Sequence, residues 1–261
     1  MKRFIILIAL YLCFIAVKAQ DKNDFVKTIF VLKGDTLPVR ILYPENFDPT
    51  KKYPLMLFLH GRGESGGDNQ KQLIHGSKMF LDPVFRAKYP AVVVFPQCSN
   101  DSYWANVKIT TDEKGKRNFE YLKSGKPTQA MKLLLSYLEQ LEDLAYLDQD
   151  RFYVGGLSMG AMGTYELLRR EPNTFASAFA ICGGDKVSNV KKYANKLPLW
   201  LFHGLKDDVV KPEFTINLAN ELKRLDADYK LNLYPNANHN SWDAAFAELE
   251  LLPWIFSKSK N

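Results

Sequence analysis

The sequence predicts an α/β protein, with one mostly parallel sheet of eight strands covered by helices on both faces. Three observations carry this. Short apolar runs of strand length alternate with amphipathic stretches of helix length. Several of those runs are hydrophobic without a break, as Tyr53-Pro54-Leu55-Met56-Leu57-Phe58-Leu59-His60 is, which is how a strand buried on both faces reads. The stretch from Arg151 to Arg170 also passes from a β-rich segment, through Gly156-Leu157-Ser158-Met159-Gly160, into a helical pattern.

Taken in order, the chain opens on a segment with the marks of an export signal. Met1-Lys2-Arg3 is basic, and Phe4 to Val17 is apolar but short for a bilayer span. Val17-Lys18-Ala19 has the small residues of a cleavage site, so residues 1–19 are expected to be removed and the mature chain to start at Gln20. An uncleaved anchor is the other reading. Leu10-Tyr11-Leu12 before Cys13 lacks the small residues of a lipoprotein box, so no acyl anchor is expected. Cleavage implies a secreted or periplasmic protein with no stable membrane insertion. It also removes Lys2, Arg3 and Lys18 and no acid, which takes the formal charge from +6 to +3. Lys and Arg are then scattered rather than clustered with aromatics, so nucleic acid is not an expected partner. The full chain is 46% hydrophobic, and residues 20–261 suffice for one full core and one domain. Cys98 and Cys182 remain, and buried thiols suit a large domain better than a disulfide scaffold.

Phe25 to Leu32 and Pro38 to Tyr43 flank Gly34-Asp35 and read as an edge hairpin. The Tyr53–His60 strand leads into a glycine-rich loop, and a short helix is expected within 68–80. Ala91 to Phe95 is a buried strand. Ser99 to Lys126 reads as a long polar loop. Thr128 to Leu147 has the apolar spacing of an amphipathic helix, at Met131, Leu134, Leu138, Leu141 and Ala145. Strands follow at Arg151–Val154, Phe175–Ile181, Pro198–His203 and Lys230–Tyr234. Pro212 to Leu225 reads as a helix with proline in its first turn, and Trp242 to Phe256 as the closing helix.

Ser158 is the candidate nucleophile. In G-x-S-x-G the serine sits at the apex of a sharp strand-to-helix turn, and side chains two residues away on either side would collide with the neighbouring strand and helix. A serine hydroxyl is a poor nucleophile until a base takes its proton, and that base needs an oriented carboxylate. Of the four histidines, His203 and His239 follow Ser158. His203 ends a strand and has no suitable acid before it. His239 lies in a turn-rich loop after the last strand, so it is the expected base. His203-Gly204-Leu205-Lys206-Asp207-Asp208 offers two acids, of which Asp207 is preferred. Backbone N–H groups of Met159 and Arg62 are the expected oxyanion donors. The Arg62 side chain is expected to line the acyl site, to pair with Glu64 or to be solvated. Gln97, Tyr103, Trp104 and Trp242 are candidates for the pocket wall, with core packing as the alternative for the aromatics.

These motifs together resemble α/β-hydrolase esterases. Leu59-His60-Gly61-Arg62-Gly63-Glu64-Ser65-Gly66, Gly156-Leu157-Ser158-Met159-Gly160, His203-Gly204-Leu205-Lys206-Asp207 and His239 are most similar to the phospholipase/carboxylesterase and dienelactone-hydrolase-like group. Pro96-Gln97-Cys98, Ile181-Cys182-Gly183-Gly184 and His239-Asn240-Ser241-Trp242 also look like a subgroup of predicted peptidases and feruloyl or acetyl esterases. The resemblance implies the triad Ser158, Asp207 and His239, oxyanion donors at Arg62 and Met159, and an acyl-enzyme route. It implies hydrolysis of small or medium esters or lactones, free or borne on polysaccharide. No large lid insertion is expected.

Other readings fit less well. Gly61-x-Gly63-x-x-Gly66 after a strand is formally a dinucleotide fingerprint, but the next strand ends in Pro96-Gln97 with no acid for a ribose. No His/Cys spacing suits zinc, so neither cofactor nor metal is expected. A serine peptidase and a catalytically silent binding module are the rival functions.

Overall fold

The computed structural model describes residues 21–260; the proposed export segment and Cys13 lie outside them. Its main sheet is built from β1 (Val26–Leu32), β2 (Asp35–Leu42), β3 (Tyr53–Leu59), β4 (Val92–Pro96), β7 (Leu147–Leu157), β8 (Ser177–Ile181), β9 (Leu199–Gly204) and β10 (Tyr229–Tyr234). They lie in the order β1-β2-β4-β3-β7-β8-β9-β10. From β4 to β10 every pairing is parallel, while β2 pairs antiparallel with both β1 and β4. This is the α/β-hydrolase sheet.

Alternation along the strands divides the core in two. In β3, Leu55, Leu57 and Leu59 face one side, and Met56 and Phe58 the other. In β9, Leu199 and Leu201 take the first side, and Trp200 and Phe202 the second. Both sets are almost fully buried, as a strand covered on two faces requires. The first face packs on α3 (Gln129–Glu142), α4 (Met159–Arg170) and α5 (Pro212–Arg224). The second packs on α1 (Ser77–Leu81), α2 (Pro83–Lys88), α6 (Trp242–Phe246) and α7 (Leu251–Phe256).

Four elements differ from the sequence reading. The helix expected over 128–147 ends at Glu142, and Leu147 already opens β7. Its start is fixed where Thr128 Oγ1 accepts the Met131 N–H at 3.2 Å. The polar stretch 99–126 is no plain loop. It holds a second, two-stranded sheet of β5 (Val107–Thr111) and β6 (Arg117–Tyr121), turned at Gly115 with φ +78°. Most of its residues are exposed, so the sequence lacks the apolar alternation that marks a strand. The closing helix is two short helices, α6 and α7, with Pro253 near the start of the second. Helix α2 has no counterpart in the sequence reading, although Asp82-Pro83 carries its signal. Asp82 Oδ1 accepts the Phe85 N–H at 3.0 Å, and proline needs no such donor.

Candidate active site

Four loops at the carboxyl ends of parallel strands converge on one point. The β7–α4 turn is the tightest. Ser158 holds φ +52° and ψ −117°, a conformation that side chains rarely adopt. Its N–H donates to Ile181 O at 2.8 Å and its carbonyl accepts from Met162 N at 3.1 Å, so the turn is pinned on both sides. The two flanking glycines have steric reasons. A Cβ on Gly160 would stand 1.9 Å from Leu59 O, and one on Gly156 would stand 2.5 Å from the Gly160 carbonyl.

From this apex Ser158 Oγ meets His239 Nε2 at 2.9 Å, and His239 Nδ1 meets Asp207 Oδ2 at 2.7 Å. His239 comes from the loop after β10 and Asp207 from the loop after β9. Because Nδ1 faces a carboxylate it carries the proton, which leaves Nε2 to accept from the serine hydroxyl. Asp207 is buried and Asp208 is exposed. The Asp207 Oδ1 accepts the N–H groups of Val209 and Val210, both at 2.9 Å.

The structure adds a partner that sequence reasoning passed over. His203 Nε2 lies 3.2 Å from Asp207 Oδ2 and 2.9 Å from Val210 O, so it faces two acceptors and carries a proton there. Its Nδ1 meets Thr215 Oγ1 at 2.6 Å. Burial alone would raise the Asp207 carboxyl, but hydrogen bonds from His203, His239 and Val210 and the charge of His239 outweigh it. They hold the carboxyl well below the usual carboxylate range.

The β3 loop is equally fixed. His60 Nε2 accepts the Cys98 N–H at 2.9 Å, so Nδ1 is protonated and donates to Gly61 O at 2.6 Å. Burial lowers His60 to about 4, and the ring is neutral. Met159 opens α4, where the first N–H groups have no partner within the helix. Arg62 opens a short 3-10 turn in the β3 loop. Its guanidinium is exposed, as one of the three expectations has it, but it is not free in water. It donates to Ser102 O at 2.8 Å and to Asn100 O, and lies 5.7 Å from the Tyr103 ring centroid. It therefore clamps the segment that follows Cys98.

Of the four expected wall residues, Trp242 alone touches the row, with its ring edge-on to His239 at 5.5 Å. Trp104 belongs to the core instead. It is fully buried against His60 and under Gly163, where a Cβ would come within 2.5 Å of Trp104 Cβ. Gln97 is also buried rather than wall-lining: its amide joins Asn69 N, Glu64 O and Asp68 Oδ1 at 2.7, 3.1 and 2.9 Å. Tyr103 is half-buried beneath Arg62.

Cys182 and Cys98 are buried free thiols. The Cys182 sulfur lies with the side-chain ligand atoms of Asp207 and His239 inside a 4.8 Å cluster. A metal there would compete with the Asp207–His239 hydrogen bond and would need a thiolate, which burial disfavours by pushing the thiol up. A separate cleft of about 780 Å³ opens between α1–α2 and α6–α7. His75, Phe246 and Leu252 line it; Ser158 and His239 do not.

This fold, with a serine at a strained strand–helix turn and a histidine and carboxylate behind it, defines an α/β-hydrolase. Residues 48–251 match the model of the phospholipase/carboxylesterase family, and the chain belongs to that family. A thermostable esterase of known structure superposes with a TM-score of 0.80 at 30% identity, over 92% of this chain and 64% of that one. A bifunctional acetylxylan esterase/xylanase of Neocallimastix patriciarum is 27% identical over 209 residues, which is 78% of this chain and 27% of the relative. A probable dipeptidyl-aminopeptidase B of Ajellomyces capsulatus (strain H88) is 24% identical over 247 residues, 80% of this chain and 24% of the relative. The chain thus spans about a quarter of the length of the curated relatives it matches.

Proposed function

We propose that the protein is a serine carboxylic-ester hydrolase working through an acyl-enzyme. The observation that carries this reading is the continuous row Ser158 Oγ–His239 Nε2, 2.9 Å, and His239 Nδ1–Asp207 Oδ2, 2.7 Å. Ser158 attacks the ester carbonyl while its proton passes to His239 Nε2. Asp207 holds the imidazolium that results. The N–H groups of Met159 and Arg62 receive the carbonyl oxygen as it becomes an oxyanion. Collapse of the tetrahedral species expels the alcohol, which takes the proton from His239. Water then repeats the sequence on the acyl-serine and releases the acid.

The substrates are acetyl, feruloyl or similar small esters or lactones, free or attached to polysaccharide. The acetylxylan esterase among the relatives supports this class. The dipeptidyl-aminopeptidases favour an amide substrate instead. The deciding experiment has two arms. Fluorophosphonate labelling tests whether Ser158 is a live nucleophile, and a silent fold stays unlabelled. Turnover of p-nitrophenyl acetate against peptide anilides then separates esterase from peptidase; faster anilide cleavage would reassign the chain.

The reading places the enzyme outside the cytoplasm, with residues 1–19 as a cleaved signal. No helix of the described residues is long and apolar enough to cross a membrane. Mass spectrometry of the exported protein should find Gln20 at its start. Full-length chain in the membrane fraction would mean an anchor.

A further inference from the structure

Glu64 is a buried carboxylate beside the candidate nucleophile, and the mechanism above does not use it. It is 8% exposed and sits on the same short turn as Arg62. Its Oε2 would lie 3.0 Å from a Cβ on Gly61, and that same point is 3.6 Å from Ser158 Cβ. Carboxylate and nucleophile therefore flank the same space beside Gly61, the one a side chain there would fill.

Its surroundings define how it acts. Its own N–H donates to Gly61 O at 3.3 Å, and its carbonyl accepts from Gln97 Nε2 at 3.1 Å, so the residue's backbone is fixed. Burial pushes the carboxyl up, with His75 and the nearby backbone of Gly61 and of Glu64 itself opposing the shift. Behind it His75 Nε2 stands 3.7 Å from Oε1, and the His75 ring packs on Trp242 at 5.1 Å. Arg62, the cation nearest in sequence, is turned away to the carbonyls of Asn100 and Ser102. The side chain is thus directed at the backbone of its own loop, one peptide before the N–H that would bind an oxyanion.

We propose that Glu64 is the positioning residue of the oxyanion hole: its carboxylate holds the Gly61–Arg62 backbone so that the Arg62 N–H points at the carbonyl attacked by Ser158. The inference rests on the reading of Ser158 as nucleophile. A buried charge is costly unless paired, so a carboxylate kept here has to be satisfied by that loop and by His75. Oxyanion donors act only when held in place before reaction, which is the contribution Glu64 makes.

The test uses the rate at which a fluorophosphonate labels Ser158, because its phosphoryl oxygen occupies the same hole whatever the natural substrate. Glu64→Ala should slow labelling and kcat for p-nitrophenyl acetate by about 10- to 100-fold, somewhat less than deleting a donor outright. KM and the thermal midpoint should stay close to wild type. Glu64→Gln keeps an acceptor oxygen and should restore most of both rates. A boronic acid that mimics the tetrahedral species should weaken in parallel with kcat, which a merely structural role would not produce. If the alanine variant does not fold, Glu64→Asp, one methylene too short to reach, carries the same expectation. Wild-type labelling matched by the alanine or aspartate variant would overturn the inference alone. A wild-type protein that does not label would overturn the reading of Ser158 and this inference with it.

Discussion

His203 Nε2 lies 3.2 Å from Asp207 Oδ2, the same oxygen that His239 Nδ1 meets at 2.7 Å. One carboxylate oxygen thus serves two imidazoles, of which His203 is wholly buried and tied to Thr215 and Val210. His203 acts as a buttress that fixes where the carboxylate can go. His203→Phe should lower kcat about tenfold to a hundredfold, in the range seen when the partner that orients an active-site ligand is removed. KM for p-nitrophenyl acetate should change little. Unchanged kcat in a folded variant would count against the buttress.

Asp207→Asn should cost on the order of ten-thousandfold in kcat, because the amide favours the wrong tautomer of His239. Asp208→Asn, an exposed neighbour whose backbone N–H is held by Asn238 Oδ1 at 3.1 Å, should cost only a few-fold. Steady-state kinetics of the two variants side by side decide it. The reverse order would move the acid one residue along the chain.

Gly160→Ala should fail to fold or lose about 3 kcal/mol or more, since the new methyl would lie 1.9 Å from Leu59 O in β3. Gly63→Ala, with nothing within 4 Å of its Cβ, should be near neutral. Denaturant midpoints of the pair test the difference. A stable Gly160→Ala protein would mean that the turn is looser than its geometry.

Stability should rise with pH between about 4 and 6.5 through His60. Its folded pKa is lowered from 6.5 to about 4, so in that window the unfolded chain binds the proton and the folded chain does not. The contribution is present above 6.5, is lost as pH falls to 4, and is on the order of 3 kcal/mol. Asp185, which burial raises to about 6, works in the opposite direction from 3.8 upward. The measurement is therefore a comparison. His60→Gln should flatten the wild-type slope of unfolding free energy against pH between 4 and 6.5, and an unchanged slope would remove His60 as its source.

What the sequence revealed and what it hid differ in physical kind. Gly156, Ser158 and Gly160 are legible because their constraint is local: the turn sets which positions lack room for a side chain, and the spacing repeats it. Asp207 and His239 could be located because chain order and strand ends leave few positions for an acid and a base. The buried strands were legible from uninterrupted apolar runs. His203, Glu64 and the real places of Gln97 and Trp104 were not. Gln97 and Trp104 are decided by which distant segment packs against them, Asn69 for one and His60 for the other, whereas His203 and Glu64 meet near neighbours, Asp207 and Gly61, that only the folded turns bring into reach. The β5–β6 hairpin was hidden for another reason. Its strands are paired through their backbones while their side chains stay in water, so no hydrophobic rhythm marks them.

The row Ser158–His239 joins residues 81 positions apart, on loops that follow β7 and β10. During synthesis the proposed nucleophile is made first, the proposed acid next and the proposed base last. A chain stopped anywhere before His239 has a serine with no histidine to deprotonate it, however well its earlier strands have paired. On the proposed mechanism, turnover therefore requires the loop after β10 to have reached those after β7 and β9, and it reports the docking of the last strand rather than that of α6 and α7 behind it.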